Sequence, residues 1–289
     1  MFGKMCIAAL VFTTVSTVAV ASEPVTEQAV EAAIREYVVA KYAGDVETVQ
    51  SRAHHDIARR AVANTYWGRP SEEWVRPYDH DRLQFYGTRL NETKRDHPES
   101  GRCDITVFDV EQRSAAAVVV MEDVVDFLHL AHFDGRWLIA DSAVIILDEQ
   151  GAPPPAPTRE DEAEIRRVIR DYCIGFYEVD GDKVQATCHP TLSKRTVEQW
   201  GEGDGFDFFR PITWEEIRIL GETFNRVLGF DPGTARCEIE VYEVRDNVAL
   251  AKLTGSVWFD YMQLMRVNGE WLVVNILFEP LPDDRSESP

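Results

Sequence analysis

Cys103-Asp-Ile-Thr-Val-Phe-Asp-Val110 returns as Cys237-Glu-Ile-Glu-Val-Tyr-Glu-Val244, and Gly135-Arg-Trp137-Leu138 returns as Gly269-Glu-Trp271-Leu272, all at one offset of 134 residues. Ala115/Ala249, Ala117/Ala251, Asp126/Asp260, Leu130/Leu264 and Leu147/Leu281 keep that offset. Identities held in a single register over residues 103–147 and 237–281 mark a duplicated unit. Within it Ile105, Val107 and Phe108 begin a strand, and Ala115 to Phe133 is a long apolar segment rich in valine. Asp134-Gly135 and Asn268-Gly269 then separate strand-like runs, a strong hairpin signal because both turn positions need positive φ. The closing strands are Trp137–Leu147 and Trp271–Leu281.

Each copy opens with a helix. Val30, Ala33, Ile34, Tyr37 and Val38 form one apolar stripe at helical spacing, and Ile165, Val168, Ile169, Tyr172, Cys173 and Phe176 repeat it. Thr158 and Asp161 are placed to cap the second helix. The helices are expected to end at Gly44-Asp45 and Gly181-Asp182, with a short helix running on to His55 and to His189-Pro190. Helices first and meandering strands after predict an α+β domain, a helix-packed antiparallel sheet, present twice. The Pro-rich Gly151-Ala-Pro-Pro-Pro-Ala-Pro157 between the copies is a stiff extended linker, since consecutive prolines extend neither helix nor central strand.

Residues 1–21 carry one charge, Lys4, then an apolar run from Met5 to Phe12 and small residues to Ala19-Val20-Ala21. That is the pattern of a secretory signal peptide, and the run is too broken for a spanning helix. The expected organisation is therefore a signal peptide (1–21), a first domain (22–150), a linker (151–158), a second domain (159–283) and a disordered tail (284–289). The mature protein is expected to be exported, periplasmic or secreted, with no membrane insertion after cleavage. A net charge of −20 argues against nucleic acid and anionic membrane surfaces as partners. Cys103, Cys173, Cys188 and Cys237 remain after cleavage. Equivalent strand positions suggest pairing Cys103 with Cys237, and a helical hairpin suggests Cys173 with Cys188.

The order helix, Gly-Asp, short helix, His, then strand, (Asn/Asp)-Gly-x-Trp, strand resembles the nuclear transport factor 2-like superfamily. The run Phe259-Asp260-Tyr261, Leu264, Asn268-Gly269-Glu270-Trp271 is similar to its lumazine-binding branch, close to SnoaL-like proteins. The resemblance covers nearly the whole mature chain, once per copy. It implies a curved sheet wrapped around helices into a cone with a central pocket. It also implies sheet-to-sheet dimerisation, which a tandem chain would satisfy internally as a monomer with a pseudo-dimer. The superfamily hosts enzymes, binders and scaffolds, so fold alone transfers no function.

Two duplicated polar residues are candidates for chemistry. Asp126/Asp260 lies mid-strand among apolar residues, where a lone carboxylate is costly. Ketosteroid isomerase-like members use a pocket Asp as base with a Tyr hydroxyl, a part open here to Tyr37, Tyr86, Tyr172 or Tyr261. Strand alternation leaves the facing of Asp126 open, and a structural pairing with backbone or a nearby Arg is the competing reading. His55/His189 follow the helices, where an Asp–His pair would move protons near neutral pH; the competing reading is a capping or core histidine. Trp67, Trp200 and Trp214, with Tyr37, Tyr86, Tyr172 and Tyr261, are candidate linings of an aromatic pocket. Metal is not expected. His129 and His132 point to opposite strand faces, and His54-His55-Asp56 is too local to form a site by itself. Asn91-Glu-Thr93 matches a glycosylation sequon, relevant only in a host that glycosylates. No phosphate loop, nucleophile elbow or cofactor motif is present. The favoured reading is non-catalytic binding of a small aromatic or apolar molecule; the alternatives are a pocket isomerase, dehydratase or cyclase, and an envelope scaffold.

Overall fold

The computed structural model describes residues 22–66, 69–80, 97–147, 157–200 and 205–282. The leader, most of the Pro-rich linker, Trp67, Tyr86, the sequon and the tail lie outside them. The first copy runs α1 (Glu27–Ala43), α2 (Val46–Arg52), β1 (Ala53–Tyr66), β2 (Arg69–Tyr78), β3 (Asp104–Val110), β4 (Ser114–Val120), β5 (Val124–Phe133) and β6 (Arg136–Ile146). The second runs α3 (Arg159–Glu178), α4 (Gly181–Ala186), β7 (Cys188–Trp200), β8 (Phe206–Ile212), α5 (Trp214–Leu228), β9 (Glu238–Arg245), β10 (Val248–Thr254), β11 (Trp258–Val267) and β12 (Glu270–Pro280). No helix among these residues is long and apolar enough to cross a membrane.

Each copy forms a six-stranded sheet, ordered β2-β1-β6-β5-β4-β3 and β8-β7-β12-β11-β10-β9. The expected antiparallel meander covers β3–β6 and β9–β12. The sheets are nevertheless mixed, because β1 joins β6 and β7 joins β12 in parallel. That pairing brings together segments far apart in the chain, which no local periodicity encodes. A bulge falls at His129/Leu130 and again at Gln263/Leu264, the same place in both copies. The local turns are as expected: Asp134 and Asn268 adopt φ of 47° and 51° beside positive-φ Gly135 and Gly269.

The helical boundaries differ from the expected ones. α1 ends on left-handed Gly44 and Asp45 caps α2. In the second copy those positions are Val179, also left-handed, and Asp180; Gly181 lies inside α4. The helical half therefore repeats at 135 residues, not 134. Gly181 is small for another reason: a Cβ there would come within 2.2 Å of the Arg218 carbonyl of α5. α5 itself was not foreseen, although Thr213 and Glu216 form a full capping box at its start.

One face of each sheet packs on its own helices. Val30, Ile34 and Tyr37 meet Leu128 and Trp137 in one core, and Ile165, Ile169 and Phe176 meet Met262 and Trp271 in the other. A further apolar cluster draws on the opposite faces of both sheets, including Val125 and Phe127 with Phe259 and Tyr261. All four described cysteines are free. Cys103 and Cys237 pack against different helical cores, so the pairing suggested by their equivalence does not occur. Cys173 lies near Cys237: its thiol donates to the Arg236 carbonyl at 3.9 Å, and the neighbouring Cys237 together with burial raises its pKa.

Candidate functional site

The open question of which way the duplicated carboxylate faces has a clear answer. Val124, Asp126 and Leu128 point at the helices, whereas Val125 and Phe127 point away. Asp126 is fully buried, accepts Arg59 Nη1 on Oδ2 at 2.7 Å and accepts the Ser142 hydroxyl on Oδ1 at 2.5 Å. Asp260 is also fully buried, accepting Lys194 Nζ on Oδ1 at 2.5 Å and Trp258 Nε1 on Oδ2 at 3.0 Å. Arg59 and Lys194 are equivalent in the 135-residue register, as are Tyr37 and Tyr172. Each copy thus sets a strand carboxylate against a cation from the first long strand, beneath a tyrosine of the first helix.

The electrostatics differ between the copies. Burial pushes the Tyr37 hydroxyl up to about 12, while burial and the charge of Arg59 push Lys41 down to about 8. Among the described residues the hydrogen-bond partner of Lys41 Nζ is the Met121 sulfur, at 3.6 Å, and the Tyr37 ring lies 5.3 Å away. In the second copy burial lowers the Lys194 pKa against the opposing pull of Asp260, and burial with that same carboxylate raises Tyr172 far above its ordinary value.

Over the Lys194–Asp260 pair lies a cavity of about 610 Å³, within the range of small-molecule sites. Phe176 of α3, Trp258 of β11 and Phe278 of β12 form its floor, and Leu220 and Phe224 of α5 its outer wall. The rings hold one another edge to face: Phe224 meets Trp258 at 5.0 Å and Phe176 at 5.5 Å. Lys194 lines the cavity with its ammonium 4.3 Å from the Phe278 ring centre. Arg210 and Glu216 sit at the rim, Arg210 paired with Glu198 at 2.8 Å.

With the site in view, comparison places the chain among known proteins. A family model described as "Putative lumazine-binding" matches residues 25–143 and again 160–279. The chain belongs to this family. It carries the family domain twice, each copy opening with helices and ending in an antiparallel strand meander. A nuclear transport factor 2-like protein of unknown function from Shewanella baltica OS155 is 19% identical over 45% of this chain and 100% of its own, with a TM-score of 0.35. A cystatin-like-fold protein from Nostoc punctiforme PCC 73102 is 15% identical over 45% of this chain and 97% of its own, with a TM-score of 0.33. A third, from Novosphingobium aromaticivorans, is 15% identical over 44% and 86%, with a TM-score of 0.33. No curated protein matches.

In this family chain the other candidate residues lie as follows. The equivalent histidines are His54 and His189, not His55 and His189, because β1 and β7 follow the 135-residue register. Both rings do the same local work: His54 Nδ1 accepts the Asp56 N–H at 3.0 Å and His189 Nδ1 the Thr191 N–H at 3.1 Å. Neither meets Asp126 or Asp260, so the expected pairing of these histidines with the duplicated carboxylates does not form: the partners of Asp260 are Lys194 and Trp258, and the buried Asp–His contact is instead that of Asp141 with His129 Nδ1, at 3.0 Å. His55 is exposed beside Asp56, at 3.2 Å. Ligand atoms of His54, His55 and Asp56 do lie within 4.8 Å of one another. With Nδ1 accepting, however, neutral His54 carries its proton on Nε2, and burial drives its pKa down to about 4. Only His55 and Asp56 then present lone pairs. Tyr37 and Tyr172 are buried behind the polar pairs, and Tyr172 packs edge to face on Phe176 at 5.0 Å. Tyr261 faces the opposite side of its sheet. Trp214 donates to the Cys188 carbonyl at 3.2 Å, and Trp200 is 68% exposed. The cavity wall thus sets Phe176, Phe224, Phe278, Trp258 and Lys194 beside aliphatic residues such as Ile212 and Leu220, none of them singled out from the sequence as pocket-lining. The legible signal for Lys194 was the cation kept at Arg59/Lys194.

Proposed function

We propose that the second domain binds a small, flat, apolar or aromatic molecule without catalysis, in an exported protein whose two domains pair as an internal pseudo-dimer. The observation that carries the reading is the 610 Å³ cavity, walled by aromatic rings with one polar pair at its base. The family description, which names lumazine, supports a small-molecule ligand. The acid–base alternative draws no support from Asp260, which is engaged by Lys194 and Trp258. Support for the pairing comes from Phe108 and Tyr242, equivalent positions whose rings stack at 5.2 Å and 9°, as near a two-fold axis. Export rests on the leader pattern of residues 1–21.

Thr223 lines the cavity from the exposed side of α5, where a larger side chain fills the space without disturbing the core. Protein purified from its own cell envelope should retain a ligand in native mass spectrometry, and Thr223→Trp should lose it while melting like the parent. Retention unaffected by Thr223→Trp would place the ligand elsewhere.

A further inference from the structure

The polar group at the base of the cavity, Lys194, keeps donors to spare. An ammonium has three N–H donors. Among the described residues the hydrogen-bond acceptor of Lys194 is Asp260 Oδ1, at 2.5 Å. A second direction is taken by the face of Phe278, 4.3 Å away, a weaker contact than a hydrogen bond. Asp260 is fully buried behind Lys194 and is not part of the lining, with Lys194 and Trp258 Nε1 on its two oxygens and Tyr172 against it. The one indole N–H on the cavity floor is therefore already used, and the phenylalanine walls offer none. Inside the rim, where Arg210, Glu216 and Thr223 stand, a ligand that fills this space meets apolar side chains except at Lys194.

Charge decides what kind of acceptor suits that position. Lys194 is neutralised by Asp260 and Arg210 by Glu198, leaving Glu216 at the rim in excess. An anionic ligand would shed its water to enter a site with no net positive charge to receive it, which is costly. A cation would face the Lys194 ammonium. An uncharged acceptor incurs neither penalty and satisfies a buried donor. We propose that the cavity selects a neutral carbonyl compound, an aromatic ketone, aldehyde or amide, whose oxygen accepts a hydrogen bond from Lys194 Nζ. This rests on the reading of the cavity as a ligand site.

The test uses three naphthalenes of one shape titrated calorimetrically into the full chain: 2-acetylnaphthalene, its hydrocarbon isostere 2-isopropenylnaphthalene, and 2-naphthoate. A hydrogen bond from a charged donor is worth about 1.5–3 kcal/mol, so the ketone should bind on the order of 10- to 100-fold more tightly than the hydrocarbon. The naphthoate should be the weakest of the three. In Lys194→Met/Asp260→Asn, which removes both buried charges together, the ketone should fall to the level of the hydrocarbon. If that variant does not fold, the ligand series on the parent protein still decides. Equal binding of ketone and hydrocarbon, or tightest binding of naphthoate, overturns the carbonyl assignment but leaves the cavity as a binding site. Failure of all three to bind overturns both.

Discussion

Lys41 shows how much a single buried charge governs at the residue scale. The folded chain releases its proton near pH 8 and the unfolded chain near 10.5. Between those values the unfolded state holds more protons, so stability rises with pH. Lys41→Met lacks that term. It should be more stable than the parent at pH 7 by up to about 3 kcal/mol, and the two should converge by about pH 10.5 in urea melts. Tyr37, pushed up to about 12, acts only at higher pH and is common to both proteins. A constant difference across pH would sink this account. The Lys194–Asp260 pair behaves differently. Removing Asp260 strands a buried ammonium, so Asp260→Ala and Asp260→Asn should each cost about 3–5 kcal/mol. Adding Lys194→Met should recover most of that loss. Additive effects in the double-mutant cycle would mean that the pair is not coupled.

At the scale of elements, α5 determines whether the second domain has a cavity wall. Its start is capped reciprocally: Glu216 N–H donates to Thr213 Oγ1 at 3.2 Å, and Thr213 N–H donates to Glu216 Oε2 at 2.8 Å. It lies against α4 where Gly181 and Gly221 meet, and a Cβ on Gly221 would come within 2.9 Å of the Gly181 Cα. Two glycines let the backbones touch and bring Leu220 and Phe224 over the sheet. Gly181→Ala should force the helices apart, costing about 1–3 kcal/mol as overpacking, and should weaken any cavity ligand more than Thr213→Ala does. Ligand affinity unchanged in a destabilised Gly181→Ala protein would show that α5 does not shape the site.

For the whole molecule, the faces between the two sheets carry a polar network as well as apolar packing. Arg195 donates to Asp141 Oδ1 at 2.5 Å and to the carbonyl of Asp56, and Asp141 also meets His129 Nδ1 at 3.0 Å. The equivalent Arg60 donates to the Thr191 carbonyl at 3.0 Å, but Asn275 stands where a second Asp141 would be. Asn275 bonds to Gln263 at 2.8 Å and to the Ala58 carbonyl at 3.1 Å. Halves separated within residues 151–158 would each expose an apolar sheet face with unpaired polar groups. They should associate or aggregate when expressed apart, and the intact chain should unfold in one transition. Two soluble, non-associating halves would remove the pseudo-dimer reading.

By itself the sequence determined the duplication, the opening helices and the Asp-Gly and Asn-Gly hairpins, because each is encoded within a few neighbouring residues. Alternation in β5 and β11 showed that two faces differ without showing which meets the helices, so Asp126 and Asp260 could not be oriented. The change from a 135- to a 134-residue repeat was invisible from the strand motifs, and it displaced the histidine equivalence by one residue. Only the tertiary structure joined β1 to β6 and β7 to β12, laid α5 over the second sheet and set Lys194 against Asp260. The strand pairings and the ion pair unite residues 66 or more apart in the chain, and what selects all these contacts is the burial of charge and apolar surface across the whole domain.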